Sequence, residues 1–430
     1  MTIDIVKTTD PGFKKKLDRI LQRRGEIERD VEGRVAEIIA NVRRHGDKAL
    51  VRYAKAFDGV TLKRSAIEVS AEEMDRAGET VARQDLRWLR LAAARIKRFH
   101  RRQLEKSWCY RDPLGLELGQ RISPVERAGA YVPGGKAAYP STVLMTVIPA
   151  VAAGVREVVV TTPVQEEAAL VLAAARVAGA HRVFRVGGAQ AVAALAYGTE
   201  TVPRVDKIVG PGNVYVAAAK RLVFGQVDID SIAGPSEVLL LVDGSADPRY
   251  VAADMLSQAE HDELAAAVCV TPSMATARKV QAAIAEQLKS TRRQAITLGA
   301  LRRFGTIMVS RSLKEAVDIT NAIAPEHVQI MVRQPEKCVD AVRNAGAIFV
   351  GAYATPALGD YAAGPNHVLP TGGSARFFSP LGAYDFVKRT SIVRAEAAGL
   401  AALAPAVIHL ARREGLHEHA RAVEVRLPAG

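Results

Sequence analysis

The feature that most constrains the fold is an alternation of short apolar runs with Ala-rich stretches of helical spacing, from about residue 126 to residue 350. β-branched residues dominate the runs, and a helical pattern follows most of them, which is typical of βα units and parallel sheets. The pattern predicts an α/β fold, built on either one large sheet or two smaller ones. The predicted strands are 157–161, 183–186, 207–209, 238–242, 267–270, 307–309, 328–332 and 347–350.

The residues before and after this region are mainly helical in pattern. Helical spacing of apolar residues predicts helices that end at glycines or basic residues. Beyond residue 380, the sequence predicts one last short strand at 384–394 and a helix at 397–415 that is interrupted at Pro405. The predicted N-terminal helices are 31–42 before Gly46, 71–77 before Gly78, and 84–102.

Composition excludes several classes of protein. The 430 residues are 49% hydrophobic and 24% charged, as in an ordinary globular protein of two to four domains. The three cysteines, Cys109, Cys269 and Cys338, lie far apart, which excludes a disulfide framework and a cysteine zinc site. Neither a signal peptide nor a spanning helix is predicted, so we expect reduced thiols and a cytoplasmic protein.

The formal net charge is +13, with basic clusters at 14–24 and 95–106. Such clusters occur in nucleic-acid-binding proteins, but no aromatic-interleaved or helix-turn-helix signature accompanies them here. We therefore interpret them as solvated helix faces. A basic surface also favours an anionic cofactor or substrate.

Glycines cluster where predicted strands meet helices. The segments 186–190 and 209–213 each place glycines before a helix, where the backbone can approach a phosphate and the helix N-terminus can bind it. A third glycine-rich loop, 131–136, lacks the spacing of a P-loop. Two such loops in one crevice would suit a dinucleotide at the carboxyl edge of a sheet.

Metal-binding side chains occur at three places that local spacing does not join. Gln258 and His261 are three residues apart near the end of a helical pattern, so they share a helix face. Asp360 and His367 frame a loop rich in glycine and proline, where ionisable groups indicate a site. Zinc accepts such nitrogen and oxygen ligands. The third group, near the C-terminus, is Glu414, His417 and His419.

Glu326 and His327 stand directly before the predicted strand 328–332. Neighbours in a strand point to opposite faces, so the two can act together as an acid–base pair only if they lie in or at the end of the preceding loop. The residues alone leave three classes open: a dehydrogenase, a metal-dependent hydrolase and a nucleotide-binding regulator.

Several long stretches together resemble the histidinol dehydrogenase family. The resemblance is strongest between about residues 120 and 390 and looser over the first 110. Strings of this length and order are far more specific than any short motif. The matching segments are 129–141, 186–198, 207–219, 233–238, 256–262, 323–328 and 359–371.

The resemblance implies oxidation of L-histidinol to L-histidine through L-histidinal, with two NAD consumed and one zinc ion bound per site. It implies that His327, neutral near pH 7, accepts the alcohol proton and that Glu326 activates water for aldehyde oxidation. The implied zinc ligands, which also contact the substrate, are Gln258, His261, Asp360 and His419. The other implied substrate contacts are Ser236, His327, His367 and Glu414, and the implied NAD contacts are Tyr131, Gln190 and Asn213.

The resemblance also implies a homodimer with shared sites and no nucleic-acid or membrane partner. Its expected architecture is two incomplete Rossmann-like domains: 26–128 with 237–381, and an inserted 129–236. The segments 1–25 and 382–430 would interlock the subunits. The rival is a relative that oxidises another primary alcohol, such as a hydroxylated sulfonate; the presence of Glu414, His367 and the 326–327 pair argues against it.

Overall fold

A computed structural model describes residues 3–22, 29–134, 139–163 and 168–428 of the chain. Across these ranges, every helix is too short or too polar to span a membrane. The strands are β1 (Asp4–Lys7), β2 (Glu68–Val69), β3 (Trp108–Arg111), β4 (Glu117–Pro124), β5 (Arg127–Tyr131), β6 (Glu157–Thr161), β7 (Arg182–Phe184), β8 (Lys207–Val209), β9 (Asp228–Ile229), β10 (Glu237–Val242), β11 (Ala266–Thr271), β12 (Thr306–Val309), β13 (His327–Met331), β14 (Ala347–Val350) and β15 (Val387–Arg394).

The helices make up most of the remaining chain and divide into three sequence regions. The N-terminal helices are α1 (Phe13–Leu21), α2 (Arg29–His45), α3 (Asp47–Asp58), α4 (Ala71–Thr80) and α5 (Arg83–His100). The central helices are α6 (Pro140–Ala153), α7 (Ala168–Ala178), α8 (Gly188–Tyr197), α9 (Val214–Val223), α10 (Pro248–Ala259), α11 (Met274–Gln287), α12 (Gln294–Phe304), α13 (Leu313–Ile323), α14 (Glu336–Ala341) and α15 (Pro356–Tyr361). The last two are α16 (Ala397–Arg413) and α17 (His417–Glu424).

Two six-stranded sheets with matching strand order organise residues 1–103 and 126–386, which form one compact unit. The first sheet has the order β1-β12-β11-β10-β13-β14 and is parallel throughout. The second has the order β2-β7-β6-β5-β8-β9, with only β2 antiparallel. In each, the chain runs outward from a central strand and then crosses to its other side, as in a Rossmann half. The α/β prediction is confirmed, and of the two arrangements that the sequence left open this unit has the one with two sheets.

Burial on both faces explains why the strands read as continuous apolar runs. In the first sheet, β10 and β11 are buried along their whole length. Apolar side chains of α10, α11 and α12 cover one face, and those of α1, α13 and α14 cover the other. Parallel sheets with helices on both faces need such strands, because neither face meets water.

The helices of residues 29–103 pack on the second sheet. Val35 of α2 and Leu50 of α3 belong to the same buried cluster as Leu195 of α8 and Val159 of β6, and β2 adds an edge strand. The resemblance instead implied that 26–128 belongs to the domain of the first sheet. Apolar helix faces show that a helix is covered but not by which sheet, so the sequence pattern could not decide this point.

A second compact unit comprises residues 104–125 and 387–430. Its antiparallel sheet has the order β15-β4-β3, with β15 paired to β4 over eight residues. The sequence analysis missed β3 and β4 and expected the last strand to begin at 384. It also expected a break at Pro405, but α16 continues through that residue. Similarly, α4 continues past Gly78 to Thr80.

A buried carboxylate joins α3 to the loop after α8. Asp47, the first residue of α3, is fully buried and accepts hydrogen bonds from Arg64 Nε at 2.8 Å and from Thr201 Oγ1 at 2.5 Å. Although burial by itself would raise the pKa of Asp47, hydrogen bonds from Thr199, Thr201 and Arg64 bring it below its ordinary value of 3.8. Its ionised form therefore stabilises the folded protein.

We predict that Asp47→Ala lowers the free energy of unfolding at pH 7 by about 3 kcal/mol, because buried donors lose a charged acceptor. Since the folded-state pKa is depressed, this stabilisation is complete above about pH 4 and is lost as the pH falls through the folded value. Chemical denaturation of both proteins across pH measures the difference. Glu200→Gln is the control, because that carboxylate is half exposed and its amide still accepts from the Asp47 N–H. Equal losses of unfolding free energy in both variants would contradict the stabilising role assigned to the buried Asp47 carboxylate.

Candidate functional site

A buried carboxylate and imidazole meet at the amino ends of β10 and β13. Glu326 precedes β13 and His327 begins it, and both are less than 7% exposed. Glu326 Oε2 accepts from the Glu237 N–H at 2.9 Å, and His327 Nδ1 lies 3.1 Å from the Glu237 carbonyl oxygen. A carbonyl only accepts, so Nδ1 carries the hydrogen and Nε2 is the position open to chemistry.

The local backbone explains how neighbouring residues come to share one site. Helix α13 is followed directly by Ala324, which has a φ of 51°, a left-handed conformation that is uncommon for a residue with a Cβ. Glu326 consequently lies before the pleated strand, and its Oε2 is 3.6 Å from His327 Nδ1. This is the loop position that the sequence analysis required for an acid–base pair.

Asp360 lies opposite the second nitrogen of His327. The distance from His327 Nε2 to Asp360 Oδ1 is 3.5 Å, and Nε2 is buried without a hydrogen bond of normal geometry. Asp360 belongs to α15, whereas the sequence analysis placed it in a loop. A second imidazole follows: His367 Nδ1 donates to the Asp360 carbonyl at 2.8 Å, and His367 Nε2 lies 3.4 Å from Thr142 Oγ1.

The pKa values of Glu326 and His327 reflect two influences, namely burial and the charges of the neighbouring side chains. Burial raises the pKa of Glu326 to about 7, although His327 opposes this. Burial alone would lower the pKa of His327, but the carboxylates of Glu326 and Asp360 raise it to about 9. The neighbouring charges therefore favour a protonated imidazole, whereas the sequence analysis expected a neutral one near pH 7.

His261 approaches this cluster just beyond the end of α10, the helix whose last turn contains Gln258. Gln258 is buried in the last turn of the helix, and the His261 N–H donates to the Gln258 carbonyl at 3.3 Å. The helix ends at Ala259, so the two side chains share a turn and not one regular helix face. His261 as a whole is exposed, yet desolvation of its ring lowers its pKa against the opposing charge of Asp360.

The remaining predicted substrate and metal residues are placed as follows. Ser236 directly precedes β10, where its carbonyl accepts from the Ala266 N–H at 3.0 Å. Glu414 directly follows α16 and His419 lies in α17; both are exposed and belong to the second unit. Within the described ranges, no three His, Cys, Asp or Glu side chains are arranged to hold a metal ion. The first unit offers only two such residues from the predicted set, His261 and Asp360, together with the amide of Gln258.

The candidate dinucleotide residues lie at the carboxyl edge of the second sheet. Tyr131 ends β5, and its Oη accepts from the Gly188 N–H at 3.1 Å, at the start of α8. Gln190, in the first turn of α8, is buried, and its Oε1 has no hydrogen-bond partner among the residues that the structure describes. Asn213 caps α9 by accepting from the N–H groups of Tyr215 and Val216. Residues 135 and 136 of the third glycine-rich segment lie outside the described residues.

A buried ion pair fixes the glycine turn before Asn213, and the sequence analysis missed it. Lys220 is 2% exposed; its Nζ contacts Asp230 Oδ1 and donates to the Gly210 carbonyl at 3.0 Å. Asp230 Oδ2 in turn accepts from the Gly210 N–H at 2.8 Å. Gly210 has a φ of 116°, so a side chain there would be strained. The available signal was a lysine on the apolar side of a helical pattern.

Comparison with known proteins gives a consistent result over the whole chain. The family model described as "Histidinol dehydrogenase" matches residues 21–427. The chain is 53% identical over 420 residues to the histidinol dehydrogenase of Syntrophotalea carbinolica, covering 97% of each chain. It is 51% identical to that of Aquifex aeolicus, covering 99% of each. The crystal structure of histidinol dehydrogenase from Elizabethkingia anophelis superposes with a TM-score of 0.92 at 33% identity, covering 99% of this chain and 98% of that one.

Proposed function

The chain belongs to the histidinol dehydrogenase family, and from that premise we propose that it oxidises L-histidinol to L-histidine through L-histidinal, with NAD as oxidant and one zinc ion per site. The observation that carries the proposal is the buried acid–base pair at the amino ends of β10 and β13. His327 turns Nε2 toward Asp360, where an alcohol could be held and deprotonated. A proton acceptor must lie within hydrogen-bond reach of the group that it deprotonates.

The donor set fits zinc. Gln258, His261 and Asp360 supply an amide oxygen, an imidazole nitrogen and a carboxylate, which are ligands that zinc accepts, and His419 would supply a second imidazole. Two strongly binding side chains from one copy leave positions for the substrate and for a further ligand. Bound zinc would orient the substrate and polarise its reacting oxygen. The Asp360 carbonyl fixes the ring of His367, which we place beside the substrate with Ser236 and Glu414.

The carboxyl edge of the second sheet fits a dinucleotide. Bound NAD would supply the oxidising power for both steps. The unpartnered Gln190 Oε1 can accept a hydrogen bond there, and Tyr131 stands at the end of the central strand. The Asn213 oxygen already caps α9, so this residue would contact the cofactor through its amide nitrogen. The crossing of the chain from β7 to β8 places Tyr131 and Asn213 at the topological switch point, where such sheets bind ligands.

Proton transfer falls to Glu326 and His327. In the first step, His327 Nε2 takes the alcohol proton as the carbinol carbon is oxidised to the aldehyde. In the second, Glu326 takes a proton from the water that adds to the aldehyde, and oxidation of the resulting hydrate gives the carboxylate. The first step releases one hydride equivalent and one proton, and the second releases one hydride equivalent and two protons, because its product is a carboxylate; two NAD and one water are consumed overall.

The raised pKa of His327 has to be offset for this role. Two carboxylates raise it, and a cation that shares Asp360 would counteract one of them. The ring would then return toward the neutral form that accepts a proton. The Glu237 carbonyl keeps the hydrogen on Nδ1, so a proton arriving at Nε2 would generate an imidazolium that Glu326 stabilises.

We place Glu414 and His419 of a second copy in each site. Both residues are exposed at the ends of helices, which suits groups that complete a partner's site. The same two helices and the residues that flank α17 expose several apolar side chains, as surfaces between subunits do. These are Val407, Leu410, Leu416 and Val425.

We predict that the purified protein forms NADH from L-histidinol and that a chelator abolishes this activity until zinc is restored. Absorbance at the NADH band measures it. A hydroxylated sulfonate and simple primary alcohols are the comparison substrates, because they lack the imidazole that the site is proposed to recognise. Preference for the sulfonate would establish the rival function, and full activity after complete zinc removal would reject the metal assignment.

We predict that His327→Asn lowers turnover by roughly 10²–10⁴-fold, the usual contribution of a proton-transfer group. We expect Glu326→Gln to slow oxidation of L-histidinal more than that of L-histidinol, because only the aldehyde step needs an activated water. Separate assays with the two substrates measure both effects, and zinc content by elemental analysis checks that the metal stays bound. Near-normal turnover of the first variant, or equal losses in the second, would refute these roles.

We predict that inactive His261→Ala and inactive His419→Ala subunits recover activity when they are co-expressed. If each site combines residue 261 of one copy with residue 419 of the other, a mixed dimer has one intact site, and random pairing restores roughly a quarter of the sites. The control is the pair His261→Ala with Asp360→Ala, which lie in the same unit and should not complement each other. No recovery in the first mixture would contradict a shared site.

A further inference from the structure

A polar contact that the mechanism does not use links α10 to the start of α15. Asp254 is 7% exposed and lies one helical turn before Gln258, on the same face of α10. Its Oδ1 accepts a hydrogen bond of 2.6 Å from Thr355 Oγ1. Thr355 is the residue before α15, and its hydroxyl makes no capping bond to that helix. The contact therefore connects the two helices and does not serve either one locally.

Strand β13 contributes a third polar side chain next to this contact. Gln329 is two residues beyond His327 in β13, so both side chains point to the face of the sheet that α10 covers. Gln329 is fully buried, and within the described part of the chain neither polar atom of its side chain has a hydrogen bond of normal geometry. Burial raises the pKa of Asp254, and the side chains of Thr355 and Gln329 oppose this, so the amide lies next to the carboxyl group.

These three residues belong to the three elements that carry the proposed chemistry. Helix α10 carries Gln258, α15 carries Asp360 and β13 begins with His327. Side chains behind the ligands of a metal commonly orient those ligands, and their loss typically weakens metal binding by 10–100-fold. A buried carboxylate beneath a cation also adds a favourable charge.

We propose that Asp254, Thr355 and Gln329 form a polar bridge whose function is to position Gln258 and Asp360 for one zinc ion. Asp254 is the centre of the bridge and a positioning residue, since it touches neither substrate nor metal. The inference rests on the proposed function, because it presupposes that these two side chains bind zinc.

The test measures zinc affinity by competition with a chromogenic chelator, with no turnover required. Thr355→Val removes only the hydroxyl that Asp254 accepts, and Asp254→Asn keeps the shape of the side chain. We expect each to weaken zinc binding by about 10–100-fold. Thr355→Ser keeps the hydroxyl and should bind zinc like the wild-type protein. If Asp254→Asn does not fold, Thr355→Val decides alone.

The matched control is Thr320→Val, because that threonine is fully buried, whereas Thr355 is half-buried, and the Thr320 hydroxyl bonds only within its own helix. Thermal unfolding of the chelator-treated proteins separates positioning from general stability. Weaker zinc binding in Thr355→Val, together with unchanged binding in Thr320→Val, supports the bridge. Unchanged zinc affinity in Thr355→Val and Asp254→Asn overturns it and leaves the proposed function standing. If the wild-type protein binds no zinc, the proposed function and the polar bridge are both overturned.

Discussion

The site depends on the hydrogen bonds that link Glu326 and His327 to the backbone N–H and carbonyl of one residue, Glu237, in the neighbouring strand. The parallel register sets Val238 opposite His327, which brings Glu237 beside Glu326. The Glu237 N–H and carbonyl each bind one side chain of the pair, so a single backbone position orients both a carboxylate and an imidazole. Central strands of a parallel sheet are rigid and buried on both faces, which limits how far either group can turn.

The two sheets share a strand order but offer opposite edges for chemistry. In the second sheet, the glycine turns lie at the carboxyl edge, where helix N-termini face outward and can bind phosphates. In the first, Glu326 and His327 stand at the amino edge, where a strand can present its first side chains without a helix N-terminus. The expectation of a crevice at the carboxyl edge therefore applies to the candidate cofactor residues and not to the acid–base pair. Fold topology alone therefore predicts where the candidate cofactor residues lie but not where the acid–base pair lies.

How far the sequence could predict the structure depends on what each signal reports. All eight strands predicted in the α/β region form, because apolar β-branched runs report burial directly. The predicted helix break at Pro405 was wrong, because packing can retain a proline inside a helix despite its lost hydrogen bond. The Lys220–Asp230 pair and the Asp254–Thr355 bond went unpredicted, because polar partners separated by many residues leave no local pattern. The same limit left the metal-binding candidates unconnected until the resemblance joined them.

Three costly features coincide at one point, and none of them improves packing. Ala324 adopts a left-handed backbone, His327 Nε2 is buried without a normal hydrogen bond, and Glu326 keeps a carboxyl group in the interior with a pKa of about 7. Each costs of order 1–3 kcal/mol in a typical protein. Strain and perturbed pKa values gather where a ligand recovers part of that cost. Their concentration between α13 and β13 supports the proposed reactive centre on physical grounds that are independent of any family resemblance.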